Sequence, residues 1–440
     1  MNVLIIGSGA REHAIAKALN NSAQKPKIFC CGTADNPGIL DIAHAYWVGE
    51  ITSQEQIINQ AKEWQITMAF IGPEAPLEHG LADALWSNDI AVIGPRKRLA
   101  QIETSKAFAR DLMKKYRIAG LPKFRTFSDS AGILEFLTEL GENHYVIKAN
   151  GLMAGKGVKV AGEHLNSFAE ALDYCKEIFA LGQILVIEEK LIGQEFSLMC
   201  FSDGYSLVPM PLIQDNKRAY VDDMGPNTGG MGSYSCADHS LPFLSQSDVD
   251  DALRINQQVI NALMQEVGEP YKGILYGGFI ATAQGVYVIE FNARFGDPEA
   301  LNVLSVLESD FLSLCVSMSE GTLSTHKVKF KNKATVCKYA VPEGYPDHPL
   351  KNFEIDISSV ENKNNLYCAA VNIDDDGKLY ATGSRTVAYV GIAESTTAAE
   401  QIAESEISSI KGSLFHRKDI GTSELINKRI EMMRQLRSHY

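Results

Sequence analysis

The chain has 440 residues, enough for two to four domains. Its 45% hydrophobic and 22% charged residues are ordinary for a soluble globular protein. Lys and Arg number 41 against 54 Asp and Glu; the net charge of −13 argues against a nucleic-acid coat or a polybasic membrane anchor, while leaving room for a local basic cleft.

The first hundred residues alternate short apolar runs with helical patterns. Segments 3–6, 27–31, 68–71 and 91–93 read as buried parallel strands, each followed closely by Gly, and 12–19, 53–64 and 79–87 as the helices between them. This βαβ series predicts an open, doubly wound parallel sheet. A second region starts at 104 with a helix over 104–116. Strand 123–127, helix 131–140, strand 145–149, a Gly-rich loop 151–157, strand 158–161, helix 168–181 and strand 184–188 follow as a small α+β lobe. Longer, antiparallel-looking strands come next, at 195–201, 207–214, 277–282 and 286–292. The tail from 328 adds strands at 335–339, 367–373 and 386–392 and ends in charged helices, giving a mixed α+β domain. With no repeat and no low-complexity linker, the domains are expected to pack into one body.

The eight cysteines include no CxxC pair, so neither a zinc site nor a disulfide framework is expected and a reducing compartment is the natural reading. Met1 and Asn2 run straight into the apolar segment 3–6, too short for a signal peptide. No apolar run approaches the ~18 residues that span a bilayer. The expectation is a cytoplasmic protein with no membrane and no nucleic-acid partner.

Five motifs carry chemistry. Gly7-Ser8-Gly9-Ala10-Arg11-Glu12-His13 follows the first strand, where glycines let a phosphate approach the start of a helix. A generic tight turn is the bland alternative. A dinucleotide fingerprint is disfavoured, because Glu12 stands where its third glycine belongs and Cys30-Cys31-Gly32 offers no ribose-binding acid. Gly151-Leu152-Met153-Ala154-Gly155-Lys156-Gly157 has the wrong spacing for a Walker loop. It reads as a lysine-bearing hairpin loop folding over nucleotide phosphates. Lys148, on the strand entering it, sits in a buried pattern and needs an anionic partner. Val186-Ile187-Glu188-Glu189-Lys190-Leu191 passes from a strand into a loop that can offer backbone groups to adenine, with Glu195 placed to accept from ribose hydroxyls. A long polar loop runs from Gln214-Asp215-Asn216-Lys217-Arg218 to Gly225-Pro226-Asn227-Thr228-Gly229-Gly230-Met231-Gly232, the kind that carries function on a rigid scaffold. The most specific motif is Glu290-Phe291-Asn292-Ala293-Arg294-Phe295-Gly296-Asp297-Pro298-Glu299. Glu290, Asn292 and Arg294 are expected on one strand face. The carboxylate and amide oxygens suit Mg²⁺, and the Arg suits a phosphate or carboxylate.

The order of these motifs resembles the ATP-grasp class. The N-terminal GSGAREH, Ile71-Gly72-Pro73-Glu74-Ala75-Pro76-Leu77, the loop from Gly151, QDNKR, GPNTGGMG, EFNARFGDPE and Arg417-Lys418-Asp419-Ile420-Gly421 resemble the phosphoribosylamine–glycine ligase family. The resemblance implies an N-terminal Rossmann-like domain at 1–103, an ATP-grasp domain at 104–325 with a lid lobe at about 123–192, and a C-terminal domain at 326–440. It implies ATP with Mg²⁺ (or Mn²⁺) as cofactors, and glycine and 5-phosphoribosylamine as substrates of a monomer or weak homodimer. ATP would lie on Lys106, Lys148, Gly155, Lys156, Gly157, Glu188, Leu191 and Glu195, with the metal on Glu290 and Asn292. Substrate would meet Gly7, Gly9, Arg11, Glu12, Pro73, Glu74, Asn227, Gly229 and Gly230. Arg294, Asp297, Asp215 and Lys217 would be catalytic. The implied chemistry is activation of glycine as glycyl phosphate and its capture by the amine. The rival readings are another acyl-phosphate-forming ATP-grasp ligase or carboxylase, and a nucleotide-binding regulatory protein without catalysis. This chain departs from the family at Met153, Val221, Ala300-Leu301 and Ala340-Val341-Pro342-Glu343-Gly344.

Overall fold

The computed structural model describes residues 1–152 and 157–438; the expected ATP contacts Gly155 and Lys156 lie outside the described residues. The N-terminal sheet is parallel throughout, in the spatial order Ala45–Val48, Lys27–Gly32, Asn2–Ile6, Met68–Ile71, Ala91–Ile93. Four of its five strands match the expected runs. The fifth, Ala45–Val48, is a half-exposed edge strand whose pattern has no continuous apolar run. Strand order reverses direction between Asn2–Ile6 and Met68–Ile71, so the loops after these two strands open one crevice, where α/β sheets bind ligands.

The helices read as 79–87 and 104–116 form as Leu81–Trp86 and Lys106–Lys115. Each is preceded by a helix the reading passed over, Glu74–Glu78 before Gly80, which takes a left-handed φ of +77°, and Lys97–Thr104. The break falls at Ser105, whose hydroxyl accepts from the Phe108 N–H as an N-cap.

The expected lobe is an antiparallel sheet in the order Phe124–Phe127, Leu185–Glu189, Tyr145–Ala149, Val158–Val160. Helices Ile133–Leu140 and Phe168–Ala180 cover it. Phe127, Phe136, Leu137, Tyr145, Ile147 and Ile178 belong to an apolar core of its own, separate from the main one.

The central sheet runs Leu207–Pro209, Gln194–Asp203, Lys272–Thr282, Gly285–Asn292, all antiparallel. The strand expected at 207–214 is two short pieces in different sheets, Leu207–Pro209 and Gln214–Asp215. Behind the central sheet packs the helix Gln246–Val267, which the sequence reading passed over. Its signals are local: Ser245 and Asp248 form a reciprocal capping box, and Gly268 ends the helix in a left-handed conformation.

The last large sheet orders Gln214–Asp215, Gly232–Ser235, Ala334–Pro342, Val387–Ala393 and Leu366–Cys368, with Leu414–Phe415 also paired to Ala334–Pro342. This sheet crosses the boundary expected at 326, because Gly232–Ser235 pairs with Ala334–Pro342. The strand read as 367–373 is two, Leu366–Cys368 and Val371–Ile373, in separate sheets. Thr396–Ser408 and Ser423–Ser438 are the closing helices.

Candidate functional site

Most of the residues singled out converge where the N-terminal crevice, the central sheet and the last sheet meet. At the N-terminal turn, Gly7 has a left-handed φ of +112°, and a Cβ there would stand 2.9 Å from Glu12 and from Pro73. The backbone passes there because no side chain intervenes. The Gly7 N–H donates to the Cys31 carbonyl at 2.8 Å, and the Gly9 N–H to Glu12 Oε2 at 2.7 Å. Both glycine amides are therefore spent inside the chain. Glu12 in turn accepts from Arg11 Nε at 2.7 Å, and Arg11 Nη1 donates to the Phe295 carbonyl at 3.1 Å. The GSGAREH turn is thus tied directly to the segment after Asn292.

That segment holds Arg294. The strand ends at Asn292, so Arg294 lies beyond it rather than on it. Its guanidinium pairs with Glu74 at 3.2 Å and Glu103 at 2.9 Å. Burial alone would raise the Glu74 carboxyl, but Arg294 and Arg11 hold it down at about 2. Glu103 is enclosed more deeply; burial pushes it up to about 7 against Arg294.

Lys148 has the anionic partner its pattern required. Its Nζ lies 2.7 Å from Glu188 Oε2, and Arg110 grips the same carboxylate with Nε at 2.6 Å and Nη2 at 3.1 Å. Arg110 and Lys148 also donate to the Ile289 carbonyl at 2.7 and 3.1 Å, joining the lobe to the metal-motif strand. Burial would raise Glu188, yet Arg110 and Lys148 hold it at about 2; burial also lowers Lys148 despite Glu188. The Glu188 carboxylate is thus committed to this knot, leaving the backbone of the following loop, with half-buried Leu191, as the face open to a ligand. Lys106 begins the helix Lys106–Lys115 and donates to the Gly151 carbonyl at 2.9 Å, so it meets the entry of the Gly-rich loop.

A cleft over the central sheet is lined by Glu195, Asp215, Lys217, Tyr276, Gly278 and Glu290, among others. Lys217 Nζ lies between Glu195 Oε2 at 3.6 Å and Glu290 Oε1 at 4.0 Å. Burial would lower its pKa, but Glu195, Glu290 and Asp215 raise it; Lys217, Lys148 and Arg294 in turn lower Glu290 against burial. Asn292 follows two positions after Glu290 on the same strand, half-buried like it. Two hard oxygen donors fit a divalent cation that draws its other ligands from phosphate and water. Among the described residues no three His, Cys, Asp or Glu cluster as a protein-only metal cage.

Asp297 and the glycine-rich loop meet through a residue the sequence reading missed. Arg385, from the last domain, donates through Nη1 to the carbonyls of Gly229 at 2.8 Å, Gly230 at 3.1 Å and Asp297 at 3.0 Å. Its Nη2 pairs with Asp297 Oδ2 at 3.3 Å, and the guanidinium stacks 4.6 Å from the Tyr339 ring. Tyr339 donates to Asp297 Oδ1 at 2.6 Å. Asn227 lies at the exposed end of the hairpin strand Met224–Asn227, apart from this clamp. Arg417 binds Asp419 through two bonds of 3.0 and 2.7 Å and Asp223 through one of 3.0 Å, so the RKDIG stretch anchors the turn of that hairpin. Nothing local marks Arg385 in the sequence. Arg110 and Glu103 did leave a trace, as charges on the buried stripe of their helices beside Ala107 and Met113 and beside Leu99 and Ala100.

Three family profiles cover nearly the whole chain: the phosphoribosylglycinamide synthetase N domain at 1–103, its ATP-grasp (A) domain at 104–300 and its C domain at 335–423. A phosphoribosylamine–glycine ligase of Methanosarcina barkeri is 47% identical over 437 residues, covering 99% of this chain and 100% of that relative. The corresponding protein of Methanococcus maripaludis is 47% identical over 446 residues with the same coverage. The crystal structure of phosphoribosylamine–glycine ligase from Thermotoga maritima superposes with a TM-score of 0.81 at 28% identity, over 96% of this chain and 100% of that one. The biotin carboxylase domain of Hydrogenobacter thermophilus 2-oxoglutarate carboxylase, solved with MgADP and bicarbonate, shares the fold at 15% identity and a TM-score of 0.71, over 98% of this chain and 93% of that domain. With three matching profiles in order and full-length relatives near half identity, the chain belongs to the phosphoribosylglycinamide synthetase family, the phosphoribosylamine–glycine ligases.

Proposed function

We propose that this chain joins glycine to 5-phosphoribosylamine with ATP, through glycyl phosphate, to give glycinamide ribonucleotide, ADP and phosphate. The observation that supports it most is the convergence of Glu290, Lys217 and Asp215 in one cleft, with Asn292 two positions along the Glu290 strand, within a chain that full-length members of this family match over 99% of its length. A carboxylate does not acylate an amine in water at a useful rate, so it must first be activated. The site must neutralise phosphoryl charge and align two nucleophiles in turn.

Lys106, Lys148 and Lys217 bring positive charge to the phosphate side. Lys148 is held rigid by Glu188, and Lys217 is held charged by Glu195 and Glu290. Glu290 and Asn292 would hold Mg²⁺ or Mn²⁺, which when bound supplies charge neutralisation at the phosphate oxygens. Leu191 and its loop would face adenine and Glu195 the ribose. Arg11, Pro73, Glu74 and the turn Gly7–Gly9 would line the phosphoribosyl pocket, with Arg294 fixed between its two acids at the junction. Asn227, Gly229 and Gly230 would close the acyl side. Eight unpaired cysteines, seven of them buried, support a reducing cytoplasmic setting. No helix among the described residues is long and apolar enough to cross a membrane. The reading keeps a monomer or weak homodimer acting on small molecules.

The test is phosphate release with ATP, omitting glycine and phosphoribosylamine in turn. Steady release only with both present is the expected result. Equal release with bicarbonate or another carboxylic acid in place of glycine would redirect the assignment to a different ATP-grasp ligase.

A further inference from the structure

Outside the cleft, a chain of charges crosses from the small lobe to the long polar loop. Glu163 sits in the turn that follows the lobe's edge strand Val158–Val160. Its Oε1 lies 3.3 Å from Lys190 Nζ, and its Oε2 accepts from Arg218 Nη2. Burial would raise the Glu163 carboxyl, but Lys190 and Arg218 hold it below the ordinary carboxylate range, so it is charged at neutral pH. Its two cations are sequence neighbours of site residues. Lys190 precedes Leu191 in the loop proposed to face adenine, and Arg218 follows Lys217, which lines the cleft. Neighbouring Cα atoms are about 3.8 Å apart, so a shift at either cation carries the residue beside it.

Both ends of this chain of charges are anchored through backbone groups. Lys190 Nζ also donates to the Ala161 carbonyl at 3.0 Å, and the Lys190 N–H donates to the His144 carbonyl at 2.9 Å. Arg218 Nη1 crosses the hairpin to the Gly225 carbonyl at 3.0 Å, and the Arg218 carbonyl accepts from Arg417 Nη1 at 3.1 Å. The Lys217 carbonyl accepts from the Thr228 N–H at 2.7 Å and from the Thr228 hydroxyl at 2.8 Å. At the hairpin turn, Asp222 and Asp223 take left-handed φ of +56° and +55°; Lys428 pairs with the first, and Arg417 and Arg429 with the second. The hairpin is therefore a stiff lever. The Lys217 ammonium is held more loosely, because its two acids stand at 3.6 and 4.0 Å, too far for a hydrogen bond. Its place is set by the backbone that carries it.

We propose that Glu163 is a positioning residue: through Lys190 and Arg218 it couples the loop at Leu191 to the place of Lys217 in the cleft. This rests on the ligase reading above for what the loop and Lys217 meet, and adds how the two are kept in step. The lobe already has its own apolar core and the Glu188 knot. A partly exposed ion pair adds little to that hold, which suits a contact that relays position rather than one that carries the fold.

The test uses Glu163→Ala, Arg218→Ala and the double variant of the full chain. The Glu163 side chain is 38% exposed and the Arg218 side chain 28%, so neither substitution opens the core, and melting curves check this. At saturating ATP, glycine and phosphoribosylamine, kcat should fall about 3- to 5-fold in each single variant, the scale of a partly exposed ion pair. ATP-analogue affinity should be unchanged, and the double variant should be no slower than the slower single one. An unchanged kcat, a double loss equal to the product of the single losses, or a loss confined to analogue affinity overturns the proposal and leaves the pair as a support for the lobe. Hydrogen exchange gives a readout free of turnover. The Thr228 amide, bonded to the Lys217 carbonyl, should exchange more slowly in wild type once a non-hydrolysable ATP analogue binds, and Glu163→Ala should lose that slowing. Equal slowing in both, or none in wild type, overturns the coupling. If wild type releases no phosphate in response to glycine while the exchange effect holds, the ligase reading fails and the coupling stands.

Discussion

Two charge clusters in this molecule use the same parts to opposite ends. Glu188 and Glu290 both stand near the end of a sheet strand with a lysine beside them. Around Glu188 the positive charge is complete: Arg110 and Lys148 contact it directly, and all three are less than 9% exposed. Around Glu290 it is thin, since Lys217 lies at 4.0 Å and is shared with Glu195, while Asp215 and Glu299 next door have no cation. A closed knot of charge holds parts of the chain together. A cluster left short of positive charge is one that a charged ligand completes. The chain ligates glycine to phosphoribosylamine, and the open cluster is where a metal, a phosphate or an ammonium would make up the shortfall.

The contrast can be broken by exchanging insults. Glu188→Ala should cost about 3–5 kcal/mol of stability, because it strands two buried cations; the urea midpoint reports it, and an unchanged midpoint would make the knot dispensable. Glu290→Gln should do the reverse, lowering turnover at saturating ATP by about 100-fold or more with the melting curve unmoved. A near-normal rate would remove Glu290 from the metal site.

Acid should separate the clusters as well. Glu188 is held at about 2, below its ordinary value near 4.5, so its contribution is intact above that ordinary value and disappears as pH falls toward 2. Asp215 and Glu299 are raised, so without ligand their effect has the opposite sign: stability is fullest below the ordinary carboxylate range and falls as pH rises through their elevated values. Urea titrations of Glu188→Gln and Glu299→Gln across this range should therefore diverge from wild type at opposite ends.

Smaller effects sharpen the boundary. Gly7→Ala should cost about 1–3 kcal/mol, since φ is +112° and Glu12 and Pro73 already fill the space. A Tm within error of wild type would show that the turn relaxes freely. Arg218→Ala removes a half-exposed pair with Glu163, which also contacts Lys190 at 3.3 Å, and should shift stability by less than about 1 kcal/mol. A larger shift would mean that this link between the lobe and the hairpin belongs with the closed knot.

The sequence carried the N-terminal sheet because parallel strands buried on both faces are unbroken apolar runs, as in residues 3–6 and 68–71. It lost Ala45–Val48, an edge strand that needs no such run. It lost Gln246–Val267 for no physical reason, since the cap and the terminal glycine were both in view. In the site, types and spacing pointed to Lys148, Glu290 and Asn292. Partners were harder, because an arginine's mate is set by tertiary packing. Arg294 was expected to grip a phosphate or a carboxylate, and the two carboxylates it pairs with, Glu74 and Glu103, come from some 220 and 191 positions away by the difference of their numbers. The glycine turn was expected to let a phosphate approach the helix start; the Gly9 amide is taken by a carboxylate three residues later, and its φ of −89° places the left-handed strain at Gly7.

Arg385 joins three carbonyls drawn from two loops more than sixty positions apart in the chain, and it comes from a third region later than either. A ribosome works in one direction. When residues 229, 230 and 297 have emerged, the side chain that fixes them together has not yet been made. The unfinished polypeptide therefore holds the charged groups of the cleft without the brace that ties these loops together, and the cleft takes its final spacing only once residue 385 has been made.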